Sequence, residues 1–144
     1  MSTNAFIIIQ DENRKRQFAI EKHWDGNIHR GLGALLFKFL ETRSNGAVEV
    51  NGTGDLTAQL ITYLKGTSSK FGDVYVIPSD VEVDAQYTYI ITPIESLGVC
   101  KLCGQRIGNV DWEILVLKNG AYIFKGSGIE AIQHFGRNPM KPLF

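Results

Sequence analysis

Apolar residues recur along this chain with two periods, and the switches between them predict its elements. Residues 5–10 form an apolar, β-branched run that predicts a buried strand. Asp11-Glu12-Asn13-Arg14-Lys15-Arg16 is a polar turn, and Gln17 to Lys22 returns as a second strand with Phe18 and Ile20 on one face. After a glycine-rich turn at 23–33, Leu32, Leu35, Leu36, Phe39 and Leu40 fall at i, i+3, i+4, i+7 and i+8. That spacing predicts one apolar stripe of a helix ending near Arg43.

Ser44 to Gly54 reads as a loop rich in Gly and Asn, with a short strand at Ala47–Val50. Asp55 is the expected N-cap of a second helix, with Leu56, Leu60, Ile61 and Leu64 on its apolar face and Gly66 as its stop. From Asp73 the period becomes that of strands, at Val74–Ile77, Gln86–Thr92, Leu97–Leu102 and Trp112–Leu117. Asn119-Gly120 then joins the last of these to Tyr122-Ile123-Phe124, and both positions tolerate the positive φ that a two-residue hairpin requires. Ser127-Gly128-Ile129-Glu130 is a capping-box pattern for a short helix stopping near Gly136, and Arg137 to Phe144 is expected to be extended. The order ββααβββββα predicts an α+β fold, mainly antiparallel, with two central helices and a short C-terminal one.

Composition changes this picture little. The 144 residues, 44% hydrophobic and 21% charged, suit one globular domain over 1–144. Fifteen basic and fifteen acidic residues cancel, so no overall field favours nucleic acid or an anionic membrane. The balance is uneven, however: residues 44–95 carry two basic and seven acidic groups between two mildly basic ends. The apolar start is too short and lacks the basic lead of a secretory signal, and no stretch has the length of a membrane span. Two cysteines three positions apart make no disulfide framework, so a cytoplasmic protein is expected.

Candidate chemistry concentrates in His23-Trp24-Asp25-Gly26-Asn27-Ile28-His29-Arg30-Gly31-Leu32-Gly33. Read as a site, Gly31 and Gly33 let the backbone approach a phosphate or carboxylate at the helix start, and Arg30 adds a bidentate contact. His23 or His29 would be a general base or metal ligand held by Asp25. The plain structural reading makes Asp25-Gly26-Asn27 a turn, Trp24 a core plug, and the glycines points of close packing. Cys100-Lys101-Leu102-Cys103-Gly104 resembles one knuckle of a zinc ribbon, half of the four ligands a structural zinc takes. Its completion would need His23, His29, His134 or a second subunit, and buried thiols are the other reading. Asp80, Glu82 and Asp84 alternate with Val81 and Val83, which predicts an extended segment whose carboxylates face a cation, a basic partner or only solvent. Arg14-Lys15-Arg16 at a hairpin tip lacks the interleaved aromatics of a nucleic-acid site. Catalytic triads, zinc-protease helices and phosphate loops have no counterpart in the sequence.

The His-Trp-Asp-Gly turn running into Gly-Leu-Gly and an apolar helix resembles a motif of small uncharacterised bacterial and phage-borne proteins. These also tend to carry a Tyr-x-Tyr strand, here Tyr87-Thr88-Tyr89. The resemblance is closer over residues 1–40 than beyond, and it departs at Ile28, where the family pattern has proline. It implies a mobile-element origin and no mechanism. Three functions follow as expectations. The first is a non-enzymatic binding or inhibitor protein acting on a host macromolecule or small anionic ligand. The second is an enzyme on a phosphorylated or nucleotide-like substrate. The third is a zinc-stabilised interaction module, with a homodimer as one arrangement.

Overall fold

A computed structural model describes residues 3–29, 31–44, 48–67, 73–82, 84–99 and 106–136. The elements run β1 (Ala5–Gln10), β2 (Arg16–Lys22), α1 (Leu32–Ser44), α2 (Gly52–Thr67), β3 (Val74–Ile77), β4 (Tyr87–Val99), β5 (Arg106–Lys118), β6 (Ala121–Ser127) and α3 (Gly128–Gly136). One six-stranded sheet has the order β3-β2-β1-β4-β5-β6. Its neighbours are antiparallel except β1 and β4, whose parallel pairing of Ala5–Ile9 with Tyr87–Ile91 needs the long crossover through both central helices. The α+β class and mainly antiparallel sheet are as the pattern predicts. The strands expected separately at 86–92 and from Leu97 are one continuous strand, β4, because its pairing with β5 runs unbroken from Tyr87↔Lys118 to Val99↔Arg106. Residues 48–50 are not a strand, since no neighbour pairs with them.

Alternate strand residues face opposite ways, and the two faces are covered differently. Ala5, Ile7, Ile9, Ile20, Tyr89, Ile91, Trp112, Ile114 and Val116 form one buried cluster with Leu32, Leu36, Phe39 and Leu40 of α1 and Leu56, Leu60 and Leu64 of α2. Burying each Leu or Ile contributes about 1.5–3 kcal/mol, so this face supplies most of the hydrophobic stabilisation. Phe6, Ile8 and Ala19 point the other way into a small second cluster with Ile77, Ala85 and Ile90. β1 is therefore buried on both sides and reads as a continuous apolar run.

Local signals place the ends of elements. Asn119 and Gly120 take φ of 51° and 80°, the double positive-φ turn that their side chains permit. The Ser127 Oγ accepts from the Glu130 N–H at 3.1 Å while the Ser127 N–H donates to the Glu130 carboxylate at 3.0 Å, closing the capping box of α3. The second helix starts at Gly52, earlier than the expected cap at Asp55. Asp55 lies in the first turn and its carboxylate accepts from the Asn51 N–H at 2.8 Å. Phe37, off the predicted stripe of α1, is buried because α3 packs alongside: Phe135 stacks on it at 5.4 Å between ring centroids. Trp112, rather than the half-buried Trp24, is the tryptophan of the core. Among the described residues no helix is long and apolar enough to cross a membrane. The tail 137–144, like Arg30, Ala47, Val83, Cys100 and Cys103, lies outside the described residues.

Candidate functional site

The turn before α1 is built from its own backbone. Gly26 N–H donates to the Thr3 carbonyl at 2.8 Å, and the Tyr89 hydroxyl donates to the Gly26 carbonyl at 2.7 Å from inside the core. Burial of that phenol, chiefly its desolvation, pushes its pKa well above the ordinary tyrosine value. At the helix start, Leu32, Gly33 and Ala34 donate their N–H groups to the carbonyls of Asp25, Asn27 and Ile28 at 2.7–3.0 Å. These are the donors that a helix N-terminus would otherwise offer to an anion. Here the turn itself engages them.

The glycines serve the same closure. A Cβ on Gly31 would lie 2.2 Å from the Asn27 side-chain oxygen and 2.5 Å from the Asp25 carbonyl. One on Gly33 would lie 2.6 Å from the Ile28 Cα. Asp25 takes a φ of 56°, so its carbonyl can turn back to Leu32. The glycines thus bring protein backbone against protein backbone.

The two imidazoles diverge. His23 Nε2 pairs with the Glu21 carboxylate, and its ring packs on Tyr75 of β3 at 4.8 Å between centroids. His29 sets its ring edge-on to Phe135 of α3 at 5.8 Å. Phe135 in turn contacts Phe124 of β6. Asp25 is exposed, and His134 packs against Phe124 and Phe135. The two imidazoles of the turn thus rest on different elements, His23 on β3 and His29 on α3.

A buried ion pair that the sequence reading passed over lies beside this turn. Lys22 Nζ meets the Asp73 carboxylate with the two side chains 6% and 3% exposed. The same carboxylate accepts from the Trp24 N–H at 3.0 Å, and the Asp73 carbonyl accepts from the His23 N–H at 2.9 Å. The available signal was phase: Lys22 follows Phe18 and Ile20 on the inward-facing positions of β2.

Asp80, Glu82 and Asp84 lie between β3 and β4 on a strap whose described residues, 78–82 and 84–86, belong to no strand. Asn4 clamps its end: the Asn4 side-chain amide donates to the Asp84 carbonyl at 2.9 Å and accepts from the Gln86 N–H at 3.2 Å. Ala85 tucks against Phe6 and Ile8. Arg16 joins roof to floor, 3.1 Å from the Glu82 carboxylate and 5.7 Å from the centroid of the Phe6 ring. The expected alternation does not hold, because Val81 is 40% exposed in a turn where the Val81 N–H bonds the Pro78 carbonyl. All three carboxylates face solvent from a hydrogen-bonded support.

The chain matches no protein-family model, and no curated protein or solved structure matches it. What the fold defines is a class: an α+β protein with three helices on one face of a mixed six-stranded sheet and an acidic strap on the other.

Proposed function

We propose that this is a small cytoplasmic binding protein that docks a basic surface of a partner macromolecule against the strap carrying Asp80, Glu82 and Asp84. The observation that carries this reading is the held backbone under those carboxylates, fixed at Asn4 and Arg16 while the charges remain in water. A pre-ordered acidic surface favours fast, salt-sensitive association and adds little ordering cost on binding. The uneven charge along the chain agrees with it, since the strap lies in the acidic middle third. The phage-borne origin implied by the His-Trp-Asp-Gly resemblance makes the partner a host macromolecule and the protein an inhibitor. Quantitative affinity capture at low salt tests the proposal, comparing the wild type with the combined Asp80→Lys, Glu82→Lys, Asp84→Lys variant. Partners retained by the wild type, lost by the variant and released by added salt are expected. An unchanged partner set would overturn the assignment of this surface.

A second reading, a zinc-stabilised interaction module, is favoured by one feature of connectivity. β4 and β5 pair as far as Val99↔Arg106, and Cys100 and Cys103 fall in sequence between those two strand ends, as the cysteines of a zinc-ribbon knuckle do. His23, His29, His134 or a second subunit would supply the further ligands. Elemental analysis of the purified protein decides it: about one zinc per chain, or about half for a shared site, is the expected content.

A further inference from the structure

Asn-Gly occurs three times in the chain, at 45–46, 51–52 and 119–120, and the last two lie among the described residues. In such a pair the glycine nitrogen can attack the asparagine side-chain amide carbon, since no Cβ on the glycine obstructs its approach. The attack closes a five-membered ring. It requires that nitrogen and the side chain to lie on the same side of the asparagine Cα–C bond.

At Asn119-Gly120 the fold forbids this geometry. The φ values of 51° and 80° across a two-residue hairpin define a turn whose first central residue has ψ of about +30°. At that ψ the Gly120 nitrogen points nearly opposite to the Asn119 Cβ. The turn is also held in place: Lys118 pairs with Ala121, and the Asn119 N–H donates to the Gln86 carbonyl at 2.8 Å. Asn51-Gly52 has no such restraint. Both residues are exposed, and residues 49–51 belong to no helix or strand. Gly52 opens α2, so its N–H has no carbonyl one turn back in the helix to bond. Nothing lies within 4 Å of the point where a Cβ on Gly52 would sit, which leaves room for the ring. The Asn51 N–H is taken by the Asp55 carboxylate at 2.8 Å, and among the described residues the Asn51 side-chain amide has no hydrogen-bond partner.

We infer that Asn51 is a site of spontaneous deamidation in the folded protein and that Asn119 is protected from it. The Gly52 nitrogen bonds to the Asn51 side-chain carbonyl carbon, and the amide nitrogen leaves as ammonia, carrying the Gly52 N–H proton. Water then opens the cyclic imide at either of its carbonyls. One product is aspartate at position 51. The other is isoaspartate, in which the main chain runs through the side-chain carbon. Either product sets a new carboxylate close to Asp55 at the start of α2, and isoaspartate also lengthens the main chain there.

Incubation of the full chain in warm, mildly alkaline buffer tests this, with conversion at each asparagine followed by peptide mass mapping. Fragment ions separate Asn51 from Asn45 within one tryptic peptide, and enzymatic methylation marks the isoaspartate. Asn51 should convert about tenfold or more faster than Asn119, the factor that a constraint of about 1.4 kcal/mol on the turn imposes. In concentrated urea, where both dipeptides are released from the fold, the two rates should converge. Equal rates in the native protein overturn the proposal, as does an Asn51 that stays intact while Asn119 converts or while neither does. A rate difference that persists unchanged in urea also overturns it, because the flanking sequence and not the fold would then set the rates.

Discussion

The two faces of one sheet are built from alternate residues of the same strands, yet they are closed by different means. On one side Ile7, Ile9, Tyr89, Ile114 and Val116 meet three helices, and the contacts are apolar and deep. On the other, Phe6, Ile8 and Ala19 are closed with the help of a strap that depends on one asparagine, one arginine and a few apolar contacts. The first arrangement gives stability. The second gives a surface whose backbone is ordered while its charges stay solvated, and this thinner cover carries the proposed function. Opening it exposes few apolar groups, so local unfolding should begin there and not under the helices.

Three measurements would break or sharpen that contrast. The largest effect is expected beside the helix-covered face. Asp73→Ala leaves the Lys22 ammonium buried without its carboxylate and should cost about 3–5 kcal/mol in urea unfolding. Adding Lys22→Met, which removes the stranded charge, should recover much of this loss. Equal losses in the single and double variants would mean that the pair contributes only through the Asp73 contacts to His23 and Trp24.

An intermediate effect should appear at alkaline pH. Burial raises the Tyr89 pKa in the folded state, so folding favours the neutral phenol. Its contribution is complete below the unfolded value of about 10 and declines as pH rises from there toward the folded value. Tyr89→Phe should cost about 1 kcal/mol at neutral pH, through the lost bond to the Gly26 carbonyl, and flatten the alkaline decline. An unaltered pH profile would assign that decline to other groups.

The smallest global change is expected from Asn4→Ala, about 1 kcal/mol for the clamp bonds. Its local consequence should be larger: faster hydrogen exchange and proteolysis within 78–86, with protection of β1 and β5 unchanged. Uniform acceleration across the sheet would show that the strap and the helix-covered core open together.

Features set by a few neighbouring residues were legible in the chain. Asn119-Gly120 makes its turn and Ser127 with Glu130 makes its cap because each needs only backbone geometry and groups within three positions. The stripe from Leu32 to Leu40 marked α1 for the same reason, as period alone selects a helix. The candidate site was less legible. Histidines six positions apart in a glycine-rich turn suggest a shared pocket, but their directions depend on Tyr75 and Phe135, which distant segments supply. Alternating acids and valines at 80–84 suggest a strand, but a strand needs a neighbour, and Ala85 and Asn4 draw this segment over the sheet instead.

Sequence by itself determined the kinds of element, most of their limits and the α+β class, since periodicity, turn chemistry and capping act over a few residues. Tertiary structure alone decided that Lys22 and Asp73 meet and that the acidic segment became a clamped strap. Each of these joins groups far apart in the chain, and their meeting depends on which strands pair and which face each helix covers.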